Sequence, residues 1–184
     1  MRAVLAINAG LFGVEAIAGV LAGSTALLGD SLDMLGDSLV YAFSLYVLDR
    51  SAAWKARAAF LKGAIMLTFG AGVLAEVARK MLHPALPAAE TMGIVGGLAL
   101  AGNAVCFWLL YRHRSHDLNM RSTWLCSRND LLANGAVIAA AGAVGVTGSH
   151  WPDVLVGGAI AALFVQTAVT VVRASVFELR RARP

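Results

Sequence analysis

The sequence consists of apolar runs that recur along its whole length. Six of these runs are about twenty residues or longer, which as helices is enough to cross ~30 Å of hydrocarbon. They occupy about residues 3–22, 25–48, 58–80, 91–111, 120–147 and 153–172. Charged residues make up 14% of the chain, whereas a soluble domain carries about a quarter. The pattern predicts one all-α, polytopic membrane domain over residues 1–184, with six transmembrane helices.

Lysine and arginine residues fall mainly on one side of these helices. Two of them, Arg79 and Lys80, lie near the opposite side. Because cytoplasmic loops carry the excess of basic residues, the sequence predicts that both termini are cytoplasmic. The net charge of +4 resides in these connections, so we predict a topology signal and no nucleic-acid partner. The basic residues on the predicted cytoplasmic side are Arg2, Arg50, Lys55, Arg57, Arg112, Arg114, Arg121, Arg180, Arg181 and Arg183.

Three aspartates interrupt the second apolar run within the stretch DSLDMLGD: Asp30, Asp33 and Asp37. Glu15 and Asp130 interrupt other runs in the same way. A charged residue at the centre of a membrane helix costs about 2.5–3.5 kcal/mol on insertion scales. Leucine would pack better at each position, so we interpret the five acids as functional groups that face a hydrated cavity or a cation.

The spacing of these acids indicates a metal site. Asp33 and Asp37 are four residues apart, and Cys126 and Asp130 repeat that spacing in the fifth run, so each pair projects from one helix face. Two such helices side by side can offer four ligands in the tetrahedron that Zn²⁺ prefers. The sequence therefore predicts a metal site of these four residues. In the alternative interpretation the aspartates only pair with a basic residue, for which Arg128 is available.

Four other polar residues lie near the predicted metal site. For three of them the sequence leaves two roles open, and the fourth extends the row of ligand residues. Asn8 and Glu15 share a face of the first run and either hydrogen-bond a neighbouring helix or line the ion path. Asp30 either receives the approaching metal or hydrogen-bonds a ligand residue. Asn134 continues the stripe of ligand residues on the fifth run. Cys106, in contrast, is predicted to pack as a small apolar residue.

Several of these residues belong to motifs of a known family. The stretch NAGLFGVEAIAGVLAGSTALLGDSLDMLGDSL resembles the first two helices of the cation diffusion facilitator family of divalent-metal/proton antiporters. That pattern has an Asn, a Glu seven residues later, a Gly-Ser turn, and then Ala-Leu-Leu-x-Asp-Ser-x-His/Asp-x-x-x-Asp. The segments HDLNMRSTWLCSRNDLLANGAVI and WPD resemble the residues that lead into the family's fifth helix and begin its sixth. The resemblance implies a transport site in mid-membrane, formed by Asp33, Asp37, Cys126 and Asp130.

Two features depart from the family pattern. Cys126 stands where the family most often has histidine, and because thiolates favour thiophilic ions, we predict Zn²⁺ as the cargo first and Cd²⁺ next. Family members usually carry a cytoplasmic domain after the sixth helix. The present sequence ends soon after Arg173, so we expect a short form without that domain. The resemblance also implies a homodimer, although the family's dimers rest in part on that domain.

The resemblance implies a secondary active transporter that exports the metal from the cytoplasm in exchange for protons. We predict no enzymatic activity and no cofactor beyond the transported metal, since no Gly-rich phosphate loop with its lysine is visible. The compact form suits a bacterial inner membrane. The main alternative is a proton-coupled transporter of an organic cation or another non-metal solute. A thiol oxidoreductase, which would need a Cys-x-x-Cys pair, and a structural partner subunit are the other two interpretations.

Overall fold

The computed structural model describes residues 2–47, 52–111 and 118–181. The side chains of residues 2, 44–47, 52–53, 118–128 and 181 lie outside that description, although their backbone belongs to helices. The described residues form six α-helices, so the predicted all-α class is confirmed. The helices are α1 (Arg2–Ala22), α2 (Thr25–Val47), α3 (Ala52–Leu82), α4 (Ala89–Tyr111), α5 (Leu118–Thr147) and α6 (Trp151–Arg181).

Two helices extend beyond the predicted spans. Helix α3 begins at Ala52 rather than near residue 58, and α6 continues to Arg181 rather than ending near residue 172. Both extensions are rich in alanine, arginine or other residues with high helix propensity. An apolar pattern marks where a chain leaves the hydrocarbon, whereas helical hydrogen bonding continues as long as the backbone propensity supports it.

Within residues 2–47, 52–111 and 118–181, five helices contain a segment that is long and apolar enough to cross a membrane. Helix α2 is the exception, because Asp30, Asp33 and Asp37 lie within its 23 residues. It still extends about 34 Å at 1.5 Å per residue, which is the length of a spanning helix. The chain is therefore an integral membrane protein with five segments recognisable by apolarity alone: Ala3–Ala22, Trp54–Leu82, Ala89–Tyr111, Asn129–Thr147 and Trp151–Arg180.

Helix α2 lies at the centre of the bundle. Helix α3 packs mainly on α6, α4 on α5 and α1 on α2, and within the described ranges α2 contacts each of the other five helices. Large apolar side chains such as Ile17, Leu155 and Leu163 are exposed on the outer surface. The most acidic helix is thus surrounded by apolar ones, which is the arrangement a hydrocarbon environment requires.

One end of the bundle brings three helix connections together. Gly23, with φ +60°, makes the turn from α1 to α2, a conformation that glycine adopts without steric cost. The amide of Ala88, before α4, donates to the carbonyl of Ala22 at 3.0 Å. The start of α6 meets the same turn through Asp153. We call this end, formed by residues 22–26, 80–89 and 148–153, the closed end.

Candidate metal-binding cavity

A cavity of about 670 Å³ lies among helices α2, α3, α5 and α6. Three of the four predicted ligands line it: Asp33 and Asp37 from α2 and Asp130 from α5. Asp130 is buried, and the two α2 aspartates are half-buried. The i, i+4 spacing on α2 thus places both of its carboxylates on the face that the fifth helix shares, as the sequence pattern indicated.

The aspartates line this cavity without converging on one point. Among the residues that the structure describes, no group of three or more His, Cys, Asp or Glu side chains is arranged to hold a metal ion. Cys126 belongs to α5, but its side chain lies outside the described residues, as does that of Arg128. The four-ligand site therefore stays a prediction.

Lys62 of α3 also lines the cavity, and the sequence analysis missed it. Asp37 lies ten residues before the end of α2 at Val47, and Lys62 lies ten residues after the start of α3 at Ala52. The helical hairpin therefore places the two side chains at the same level, and the lysine charge acts on Asp37. The available signal was a lysine inside an apolar run, which is as unusual as an aspartate there.

A second polar cluster lies next to the cavity, nearer the closed end. Asn103 Nδ2 of α4 donates to Asn134 Oδ1 of α5 at 2.8 Å, and Asn134 Nδ2 donates to Asp30 Oδ2 of α2 at 2.5 Å. All three side chains are fully buried. Asn103 was also missed by the sequence analysis, since a lone asparagine in an apolar helix carries no spacing signal.

Glu15 completes this cluster from α1. Its carboxyl group is fully buried and close enough to Asp30 for their charges to interact. Both oxygens of Glu15, and Oδ1 of Asp30, lack a hydrogen-bond partner among the described residues. Two ionised carboxylates have no hydrogen to share, so such a pair needs a proton or a cation between its members.

Asn8 faces a different neighbour. Its Nδ2 donates to the carbonyl of Val4 at 3.0 Å and approaches Cys106 Sγ at 3.9 Å. Cys106 is buried in an apolar cluster with Tyr41 and Leu110. In this structure Asn8 therefore contacts α4 rather than the Glu15–Asp30 pair, and Cys106 packs as an apolar residue.

Asp153, in the first turn of α6, forms a closed ion pair at the closed end. Its Oδ1 accepts from Ser24 Oγ at 2.6 Å and from the Ala26 amide at 2.9 Å. Its Oδ2 accepts from Lys80 Nζ at 2.7 Å, and from the amide and hydroxyl of Thr25 at 3.0 and 2.8 Å. Both charged side chains are fully buried. We call this group the Asp153 clamp.

The Asp153 clamp is structural rather than a binding site. Lys80 also donates to the carbonyl of Gly23, so α2, α3 and α6 are joined at one point. Both carboxylate oxygens already accept two or more hydrogen bonds, which leaves no free position for a ligand. In the sequence, Lys80 lies near the predicted outer side, and the motif WPD gave no indication that Lys80 pairs with Asp153.

Comparison with known proteins identifies similar chains. Residues 1–180 match the family model described as the cation efflux transmembrane domain. A cadmium, cobalt and zinc/H⁺-K⁺ antiporter of Bacillus subtilis is 26% identical over 93% of this chain and 60% of its own. The zinc transporter ZitB of Escherichia coli is 28% identical over 97% of this chain and 61% of its own.

A third relative extends this similarity. The metal cation efflux system protein CzcD of Cupriavidus metallidurans is 30% identical over 83% of this chain and 52% of its own. The chain spans between 52% and 61% of the length of these three curated relatives. All three names describe the transport or efflux of metal cations.

Proposed function

The chain belongs to the cation efflux family, and from this premise we propose that it is a secondary transporter that exports a divalent transition-metal cation. The cation leaves the cytoplasm in exchange for protons. Zinc is the proposed first cargo and cadmium the next, in agreement with the metals named for the relatives. The cysteine at position 126 supports the same order, since thiolates bind these ions better than Mg²⁺ or Mn²⁺.

The observation that carries this proposal is the shared cavity of Asp33, Asp37 and Asp130. Carboxylates from two helices, inside a bundle with an apolar exterior, are costly unless a cation or protons use them. The proposed ligands are these three aspartates and Cys126, four residues before Asp130 in α5.

Proton exchange follows from the charges of the same groups. Carboxylates close together in a medium of low dielectric constant repel one another, so an empty site retains protons. A dication that binds to the aspartates displaces those protons, and protons that return from the other side release the metal. The reaction needs no covalent chemistry and no nucleotide.

The Glu15–Asp30 pair extends the proposed path towards the closed end. Its oxygens without partners are buried, and Asp30 is three residues from Asp33 on the same helix. We assign the pair as a position that a proton or the cation occupies between the cavity and the closed end. Asn134 orients Asp30 within that path through its hydrogen bond.

The proposed topology has six spans in a bacterial inner membrane, with both termini on the cytoplasmic side. Helix α2 starts at the closed end with the Asp153 clamp and is long enough to reach the other end. Among the described basic residues, Lys55 and Arg57 near the start of α3 and Arg180 near the end of α6 belong to that other end, which supports a cytoplasmic location. The closed end then faces the outside.

The experiment that tests this function uses the purified chain in liposomes that contain a pH-sensitive dye. Zn²⁺, Cd²⁺, Co²⁺ and Mn²⁺ are added in turn to wild type, Asp37→Asn and Asp130→Asn. Glu178→Gln, at an exposed acid of α6, is the matched control. We expect metal-dependent proton flux in wild type and control, and its loss in both aspartate variants, because each removes a ligand charge.

Two further variants refine the test. Cys126→Ser is expected to weaken the response to Cd²⁺ more than that to Mn²⁺, since it removes the soft ligand. Glu15→Gln is expected to slow proton flux, because glutamine gives Asp30 a fixed donor in place of an exchangeable proton. Wild-type flux in Asp37→Asn or Asp130→Asn would refute the site. Flux with an organic cation and with no metal would support the alternative transporter.

A further inference from the structure

Lys62 places a positive charge in the cavity that is proposed to receive a cation. It lines that cavity together with Asp33, Asp37 and Asp130, and its side chain is half-buried. The α2–α3 hairpin sets it level with Asp37, on which its charge acts. The surrounding wall includes the apolar side chains of Met66, Leu163 and Phe164. A lysine in such surroundings is as costly as the aspartates, and therefore indicates a function.

The ammonium group and a bound dication would repel one another. In a partly buried site the effective dielectric constant is near 20 rather than 80, so charges in one cavity act strongly on each other. A fixed unit charge beside the aspartates would weaken the binding of a dication by at least about tenfold. When no cation is present, the same ammonium group neutralises part of the carboxylate charge.

We propose that Lys62 is a built-in competitor of the transported cation. Its ammonium group occupies the cavity beside Asp37 in the metal-free state and withdraws along its flexible chain when a dication binds. This inference rests on the proposed function and assigns the residue that sets how tightly, and for how long, the site holds its cargo. Because the penalty falls on every dication alike, it excludes ions that bind weakly, such as Mg²⁺, while zinc still binds.

The competing explanation is that Lys62 only forms a structural ion pair. In that case its replacement leaves buried carboxylate charge without compensation, lowers the stability of the fold and does not improve metal binding. The competitor role predicts the opposite change in metal affinity, because loss of the ammonium group tightens metal binding. The dissociation constant for metal therefore separates the two roles.

The test measures metal binding by isothermal titration calorimetry, with the full chain in lipid nanodiscs at one fixed pH and with Zn²⁺ and Mg²⁺ as probes. Lys62→Met removes the charge and keeps the length, Lys62→Gln does so with a polar end, and Lys62→Arg keeps the charge. Lys55→Met is the matched control, because Lys55 is exposed on the same helix and does not line the cavity.

We expect the Kd for Zn²⁺ to fall by at least about tenfold in Lys62→Met and Lys62→Gln, with Mg²⁺ binding becoming measurable. Lys62→Arg and Lys55→Met should bind zinc as wild type does. In liposomes, KM and kcat for zinc should both fall in Lys62→Met, because tighter binding slows release. A purely structural role would not lower KM.

Unchanged or weaker zinc binding in both uncharged variants, with unfolding temperatures equal to wild type, would overturn the inference. Equal tightening in Lys55→Met would overturn it as well, since any basic residue would then have the same effect. Asp37→Asn reports separately on the proposed function. Loss of zinc binding there, without tightening in the Lys62 variants, refutes the competitor role alone. Wild-type binding in Asp37→Asn refutes the proposed site itself.

Discussion

Buried acidic residues of this chain differ in how well their oxygens are hydrogen-bonded. Both oxygens of Asp153 accept at least two bonds each, and its charge is paired with Lys80. Glu15 and one oxygen of Asp30 have no described partner although they are equally buried. Buried polar groups are nearly always satisfied in stable folds, so these unsatisfied oxygens support the role in the ion path proposed for Glu15 and Asp30.

The Asp153 clamp yields a prediction about stability. Asp153→Ala leaves the Lys80 ammonium group buried without a counter-charge and is expected to cost about 3–5 kcal/mol of unfolding free energy. Lys80→Met should cost less, because Asp153 keeps its donors from Ser24, Thr25 and Ala26. The measurement is the thermal unfolding of each purified variant in the same detergent. Equal losses in the two variants would contradict this asymmetry.

The residues of the site differ in how visible they are in the sequence. Asp33, Asp37 and Asp130 could be predicted, because charges inside apolar runs are unusual and the i, i+4 spacing fixes their common face. The roles of Lys62 and Asn103 and the partner of Lys80 could not be predicted, because these side chains contact residues of other helices that are distant in sequence. Such contacts depend on the rotation and register of whole helices, which periodicity does not specify.

At the scale of the elements, α6 approaches the start of α2 very closely through Gly157. A Cβ atom at that position would lie 2.3 Å from the backbone carbon and oxygen of Thr25. At Gly158, the next residue, a Cβ would be 3.5 Å from Val77 Cγ1, which is an ordinary contact. Small residues at helix contacts are typical of membrane bundles, because they let backbones approach.

This difference gives two adjacent glycines opposite expected effects. Gly157→Ala forces the two helix backbones apart and is expected to destabilise the fold by about 1–3 kcal/mol. Gly158→Ala is expected to be neutral or to stabilise by up to about 1 kcal/mol, because alanine has the higher helix propensity and finds space. Thermal unfolding of both variants under identical conditions measures the difference. A Gly157→Ala protein as stable as Gly158→Ala would show that α2 and α6 do not approach as described.

Helix ends show what sequence patterns convey at this scale. The helix ends at Ala22 and Thr147 coincide with the ends of the apolar runs, because the positive-φ glycines Gly23 and Gly148 follow directly. Helices α3 and α6 extend beyond the predicted spans, because amphipathic helix continues beyond the apolar segment. Apolarity thus predicts which helices exist, and backbone propensity decides how far they extend.

At the scale of the whole molecule, the decisive question is whether α2 crosses the membrane. Its three aspartates remove it from the segments recognised by apolarity, yet every other helix packs around it in the described part of the chain. A helix shielded in this way needs no apolar surface of its own, since its neighbours face the lipid. The free-energy cost of the three aspartates is then set by the polarity of the cavity that surrounds them and not by contact with lipid hydrocarbon.

Six spans and five spans predict opposite locations for the C-terminus. If α2 crosses the membrane, the connections around residues 85 and 148 lie outside and both termini lie in the cytoplasm. If it does not, those two connections lie in the cytoplasm and the C-terminus lies outside. Alkaline phosphatase, active only outside, and a fluorescent protein that folds only in the cytoplasm can be fused after residues 85, 148 and 184 of the full-length chain or its truncations. We expect phosphatase activity at the first two positions and fluorescence at the third, and the reverse pattern would exclude α2 as a spanning helix. The double substitution Asp33→Leu and Asp37→Leu makes α2 apolar enough to insert on its own. It should leave the fusion pattern unchanged, because we expect α2 to cross the membrane in the native chain as well.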